Sequence, residues 1–128
     1  MNNDLTVLIV EDDPHVLLGC QQALALEDIR SEGVSSAEQA LALAGPDAAA
    51  FDAIFSDVVM PGMTGVAMAK VLRQRRPDLP VVLTSGYSEE LADSGYEGFE
   101  FLAKPYSADQ VARVLAKAMS KDQSTTAT

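Results

Sequence analysis

Short apolar, β-branched runs alternate with longer amphipathic ones along this chain, and no other feature restricts its fold as much. Residues 5–10 are nearly all apolar, the pattern of a strand covered on both faces. Asp13-Pro14 then opens a helix, with Asp as N-cap and Pro at the first helical position. That helix reaches about Leu26 and carries Val16, Leu17, Cys20 and Leu24 on one stripe. Residues 29–34 read as a weaker strand, and residues 36–43 as a short helix ended by Gly45-Pro46. Residues 53–56 form a third strand, with Asp57 where it ends. Past Pro61 and Gly62, Thr64 caps a helix that turns Met68, Val71 and Leu72 inward. Arg73, Arg75 and Arg76 crowd its last turn, where cations favour the negative end of the helix dipole, and Pro77 stops it. Residues 80–84 and 99–102 are the fourth and fifth strands, and residues 88–94 between them offer only a short helix. Ser107 and Gln110 make a capping box for a last helix with Val111, Val114, Leu115 and Ala118 as its core stripe.

Strand and helix alternating five times implies a doubly wound α/β fold, a five-stranded parallel sheet with helices on both faces. Ligands of such sheets bind outside the carboxyl ends of the strands, at the switch point in strand order. The 128 residues fit one domain, expected over residues 1–120, with 121–128 as a polar, disordered tail. One cysteine, Cys20, leaves no pair for a disulfide and reads as a packed thiol in a reducing, cytoplasmic setting. No apolar run approaches the roughly 18 residues of a membrane helix, and the first residues lack the pattern of a secretory signal. The expectation is a protein that does not insert into membranes. A net charge of −10, from 19 acidic and 9 basic residues, repels nucleic acid and anionic lipid but suits a cation site and basic protein partners.

The unusual side chains fall at strand ends. Glu11, Asp12 and Asp13 follow the first strand, Asp57 the third, Thr84-Ser85-Gly86 the fourth, and Lys104-Pro105 the fifth. If the sheet forms, Glu11, Asp12 and Asp57 converge, and carboxylates so close either share protons or bind a cation. Oxygen-only ligands with no nearby His or Cys favour Mg²⁺, or Mn²⁺, over zinc. The one histidine, His15, lies two residues into a helix and faces solvent. A bland reading of Lys104 is a salt bridge that tolerates the acids. Acid, acid, hydroxyl and lysine at successive strand ends suggest more: cation and lysine neutralise incoming phosphate oxygens and leave a carboxylate to attack phosphorus. A small hydroxyl such as Ser85 then bonds a phosphoryl oxygen and draws its loop inward.

These residues resemble the receiver domain of bacterial two-component response regulators, over residues 5–119. The resemblance rests on Val7-Leu8-Ile9-Val10-Glu11-Asp12-Asp13, Asp57-Val58-Val59-Met60-Pro61-Gly62-Met63-Thr64-Gly65, Leu83-Thr84-Ser85-Gly86 and Phe101-Leu102-Ala103-Lys104-Pro105, in that order and spacing. It implies a flavodoxin-like (βα)5 fold in which Asp57 accepts a phosphoryl group from a histidine kinase or histidine phosphotransfer protein. It also implies Mg²⁺ held by Asp12, Asp57 and the backbone carbonyl of Val59, with Glu11 assisting through water. Of the three acids after the first strand, Glu11 and Asp12 are taken as the pair, because Asp13 serves as N-cap. Lys104 is implied to contact the phosphoryl group, and Phe101 falls at the aromatic switch position. Thr84 and Ser85 compete for the switch hydroxyl; five residues on from Pro80, the family's spacing, gives Ser85.

The stretch between Ser85 and Lys104 leaves room for only a stunted or mobile fourth helix, in a region that Glu89, Glu90, Asp93, Glu97 and Glu100 make acidic. The family's output surface lies there, so the implied partner, a downstream protein or an attached output domain, is left open. So is the choice between a monomer and a weak phosphorylation-dependent homodimer. Leu83-Thr84-Ser85-Gly86-Tyr87-Ser88-Glu89-Glu90 resembles receivers attached to hybrid histidine kinases. Two other classes fit worse. A phosphohydrolase with an aspartyl nucleophile wants an acid two residues after it, where this chain has Val59. A flavin or nucleotide module wants a glycine- or hydroxyl-rich loop after the first strand, where this chain has three acids. A signalling switch is expected, not an enzyme beyond its own aspartyl phosphorylation and dephosphorylation.

Overall fold

The computed structural model describes residues 6–85, 99–104 and 106–127. Among the described residues nine elements follow one another: β1 (Thr6–Val10), α1 (Pro14–Leu26), β2 (Arg30–Val34), α2 (Ala37–Ala44), β3 (Ala53–Asp57), α3 (Gly65–Arg75), β4 (Val81–Ser85), β5 (Glu100–Ala103) and α4 (Ala108–Ala127). The five strands form one parallel sheet in the order β2-β1-β3-β4-β5. Strand order reverses between β1 and β3, so the crevice above their carboxyl ends is where this topology opens a ligand site. The helix expected at residues 88–94 lies outside the described residues.

Apolar side chains fill both faces, which is why the strands read as continuous runs. Leu8, Val10, Ile54 and Leu83 pack with Ala40, Met68 and Leu72 beneath α2 and α3. Val7, Ile9, Phe55 and Val82 pack on the other face with Cys20, Leu24, Val111 and Leu115 of α1 and α4. β2 lies at one edge of the sheet, and none of its residues is fully buried, in keeping with its weak sequence signal.

The caps follow from local chemistry. Asp13 Oδ1 accepts from His15 N–H and Val16 N–H at 2.9 and 3.4 Å, Ser36 Oγ from Gln39 N–H at 3.2 Å, and Thr64 Oγ1 from Ala67 N–H at 3.1 Å. Ser107 and Gln110 close a reciprocal box, Ser107 N–H donating to Gln110 Oε1 at 2.8 Å and Gln110 N–H to Ser107 Oγ at 3.2 Å. α4 continues through residues 121–127, where the sequence predicts a disordered tail; no Gly or Pro stands between Ala108 and Ala127 to stop it.

The arginines at the end of α3 act differently from the dipole role expected of them. Arg75 Nη1 donates to Leu41 O and Gly45 O at 2.8 and 3.0 Å, closing the carbonyl end of α2. Arg76 Nη1 reaches Phe51 O at 2.9 Å and Ala48 O at 3.3 Å in the loop before β3. Arg73 Nε donates to Leu79 O at 2.8 Å while its guanidinium lies over the Phe99 ring. The three side chains tie α3 to the turns around it.

Candidate functional site

Three ladder bonds extend the sheet past its strands and fix the loops that carry the polar residues. Glu11 N–H donates to Val34 O at 3.0 Å, Val58 N–H to Thr84 O at 2.9 Å, and Lys104 N–H to Ser85 O at 3.1 Å. Register then sets the side chains. Val10 pairs with Ser56, so Glu11 and Asp57 come one step later, and Asp57 pairs with Thr84. Alternation along the strands puts Glu11, Asp57 and Thr84 on the α1/α4 face of the sheet, in a row across β1, β3 and β4.

Glu11, Asp12 and Asp57 each present an oxygen within 4.8 Å of the other two. Glu11 and Asp57 are buried, and Asp12 opens to solvent. Lys104 stands against them, with Nζ 3.1 Å from Asp57 Oδ2 and 3.7 Å from Glu11 Oε1. Asp57 Oδ1 accepts from Val59 N–H at 3.3 Å, and Glu11 Oε2 from Asp13 N–H at 3.1 Å. Burial pushes the Glu11 carboxyl above its ordinary range; the Asp13 N–H opposes this, and the Asp57 charge adds to it. Burial also works against the Lys104 ammonium, but its bond to Asp57 and the charges of Asp57 and Glu11 outweigh that and hold its pKa above 10.5. One lysine thus meets two of the three carboxylates, Asp57 and Glu11. Such an oxygen-only, negative and partly open pocket fits a hard divalent cation such as Mg²⁺ or Mn²⁺.

Val59 lies on the pocket's rim with its side chain half exposed. Ser85 is buried and ends β4, and its carbonyl accepts from Lys104 N–H. Phe101, on β5, is half buried against the α2/α3 cluster. His15 is exposed at the rim of α1, and the Asp13 carboxylate is taken up by the cap.

Two further relationships escape a reading of spacing alone. Gly65 N–H donates to Val58 O at 2.9 Å, and a Cβ at Gly65 would collide with the carbonyl oxygen of Asp57, so only glycine lets α3 start this close to the acid. Beneath the pocket, Tyr106 OH and Cys20 Sγ lie 3.3 Å apart, and the Tyr106 ring meets Phe55 edge-on. The two residues of that pair are 86 positions apart, and no motif links them. Gly65 had a signal: a glycine directly after a helix cap, at the first helical position.

Comparison with known proteins agrees with this geometry. The family described as "Response regulator receiver domain" matches residues 7–116. The sensor kinase CckA of Brucella abortus is 32% identical over 124 residues, covering 94% of this chain and 13% of that protein. The DNA-binding transcriptional regulator NtrC of Escherichia coli is 33% identical over 123 residues, covering 91% of this chain and 25% of that protein. The chain therefore spans a quarter or less of the length of these relatives. Among solved structures, the receiver domain of the hybrid histidine kinase CckA superposes with a TM-score of 0.75 at 28% identity, covering 89% of this chain and 98% of that one.

Proposed function

The chain belongs to the response regulator receiver domain family, and on that premise we propose that it is a two-component signalling switch charged with a phosphoryl group on Asp57. One observation carries the reading: Asp57 ends the strand at the switch point, buried among two other acids, with the Lys104 ammonium 3.1 Å from Oδ2. The lysine holds the carboxylate in its aim, and it neutralises a phosphoryl oxygen that arrives beside it. Glu11, Asp12, Asp57 and the backbone carbonyl of Val59 would hold Mg²⁺ or Mn²⁺, with Glu11 acting through water. The bound ion supplies charge neutralisation at the phosphoryl oxygens.

Asp57 attacks phosphorus of a phosphohistidine on a kinase or phosphotransfer protein. One O–P bond forms, the N–P bond breaks, and its electron pair returns to the donor's imidazole. The added charge and acceptor oxygens draw Ser85 toward the phosphoryl group, and Phe101 shifts with β5 to report the change to a partner or attached output domain. Apolar Val59, two residues after Asp57, provides no general acid, so phosphoryl loss is slow and the chain works as a switch rather than a turnover catalyst.

Setting and partners follow from the same premise. Among the described residues no helix is long and apolar enough to cross a membrane, and the chain is proposed to act in the cytoplasm. Similarity to the receiver of a hybrid kinase supports attachment to, or traffic with, such a kinase. The −10 charge opposes direct contact with nucleic acid.

The test is intact mass after incubation with Mg²⁺ and acetyl phosphate. Wild type gains one phosphoryl group in a Mg²⁺-dependent manner, and Asp57→Asn gains none. Labelling that persists in Asp57→Asn overturns the assignment of this residue, and a folded wild type that is never labelled overturns the switch itself.

A further inference from the structure

Thr84 lies beside Asp57 in the β3–β4 ladder, and its hydroxyl is buried without a hydrogen-bond partner among the described residues. Adjacent strands run about 4.8 Å apart, and partners in register share a face, so the Thr84 and Asp57 side chains are neighbours on the α1/α4 side. Valine has the same shape and would fill this place without burying an unpaired hydroxyl. A buried hydroxyl left unpaired bears the whole cost of losing water, and such groups are rare enough to need a reason. The reason lies next to it. Asp57 Oδ2 takes Lys104 and Oδ1 takes the Val59 N–H, but each carboxylate oxygen accepts two bonds, so among the described residues one site on each is left over.

Resting on the phosphoryl-acceptor reading of Asp57, we infer that Thr84 is a positioning residue whose hydroxyl donates to the Asp57 carboxyl group as phosphoryl is lost. In that step a water oxygen bonds to phosphorus while the bond from phosphorus to the Asp57 oxygen breaks. Its electron pair stays on Asp57 as restored carboxylate charge, and the water's protons leave with inorganic phosphate. A neighbouring O–H stabilises that returning charge and turns to it by rotation about χ1 of Thr84. Thr84 is thereby separate from Ser85, which ends the strand one residue on. The two hydroxyls divide the work: Ser85 answers the phosphoryl group, and Thr84 answers the carboxylate that carries it.

The experiment loads wild type, Thr84→Val and Thr84→Ser with acetyl phosphate and Mg²⁺, removes the donor, and follows phosphoprotein decay by phosphate-affinity electrophoresis. Thermal melting of the unphosphorylated proteins is run alongside. Thr84→Val is expected to be labelled on Asp57, to melt no lower than wild type, and to hold its phosphoryl group roughly three- to tenfold longer. Thr84→Ser keeps the hydroxyl and decays at the wild-type rate. A wild-type lifetime in Thr84→Val, or a change shared equally by Thr84→Ser, overturns the role of the hydroxyl while leaving the acceptor reading intact. Failure of wild type itself to be labelled overturns both.

Discussion

Gly65 starts α3 directly beneath Asp57, so close that a single methyl group there would enter the carbonyl oxygen of the acid's own backbone. Gly65→Ala must push α3 away from the sheet or twist the end of β3, and either shift moves the carboxylate from Lys104. Overpacking of this kind costs about 1–3 kcal/mol, read by urea denaturation. Acceptance of phosphoryl from acetyl phosphate should fall with it. Gly19, exposed in the middle of α1, is the contrast, because a methyl group added there would meet nothing within 4 Å. Gly19→Ala should stabilise the protein by about 0.5–1 kcal/mol through helix propensity alone. Destabilisation by Gly19→Ala would be hard to reconcile with this open surroundings, and a harmless Gly65→Ala would refute the close approach.

Glu11 is 4% exposed and shares its surroundings with Asp57. Its burial disfavours the charged form, and Lys104 offsets only part of the cost. Glu11→Gln keeps the shape and removes that charge. Without Mg²⁺ the variant should therefore be more stable than wild type, on the order of 1 kcal/mol. With Mg²⁺ the order should narrow or reverse. A ligand that binds only the folded state adds about 2.7 kcal/mol when its concentration is a hundred times its Kd, and the variant binds the ion more weakly. Melting curves in EDTA and in a Mg²⁺ titration check both halves. A variant no more stable than wild type in EDTA would mean that Glu11 is not under electrostatic strain.

Arg75 spans two carbonyls at the end of α2, Leu41 O and Gly45 O, from a single nitrogen. Arg75→Ala leaves that helix end without its donor and should cost about 2 kcal/mol in chemical denaturation. Arg75→Lys should recover less than half of this, because a point charge on a flexible stem lacks the fixed planar head that holds both bonds. Full rescue by lysine would return Arg75 to the generic dipole role.

The difference between what the sequence disclosed and what it hid follows the range of the interactions. β1, β3 and β4 were legible because both faces are covered and the runs are almost wholly apolar; the caps at Asp13, Thr64 and Ser107 were legible because capping is local. Convergence of Glu11, Asp12, Asp57 and Lys104 was legible from topology, since parallel strands bring their carboxyl ends to one edge. The contacts of Arg75 and Arg76 were not, because their acceptors lie 25 to 34 residues away on α2 and the loop before β3. Nor was the unpaired state of the Thr84 hydroxyl among the described residues, which depends on what every neighbour does with its own hydrogen bonds.

Cys20 and Tyr106 give the fold a dependence on alkaline pH. Burial raises the thiol above 9.0 and the phenol above 10.0, and each is the other's hydrogen-bond partner. Above pH 9 the unfolded chain therefore sheds the thiol proton that the folded chain keeps. Fewer protons are then bound in the unfolded state, so stability falls as pH rises, by about 1.4 kcal/mol per pH unit for each group once its unfolded form is ionised. The contribution is whole below pH 9, shrinks first through the thiol and then, above pH 10, through the phenol. Cys20→Ser preserves a partner for the Tyr106 hydroxyl but does not titrate, so its stability should decline less steeply than wild type between about pH 9 and 10. Tyr106→Phe should leave the first part of the decline and flatten the second. Urea midpoints measured at intervals across this range, with the slope of each transition held constant, provide the comparison; parallel declines for wild type and Cys20→Ser would show that the thiol is not shielded in the fold.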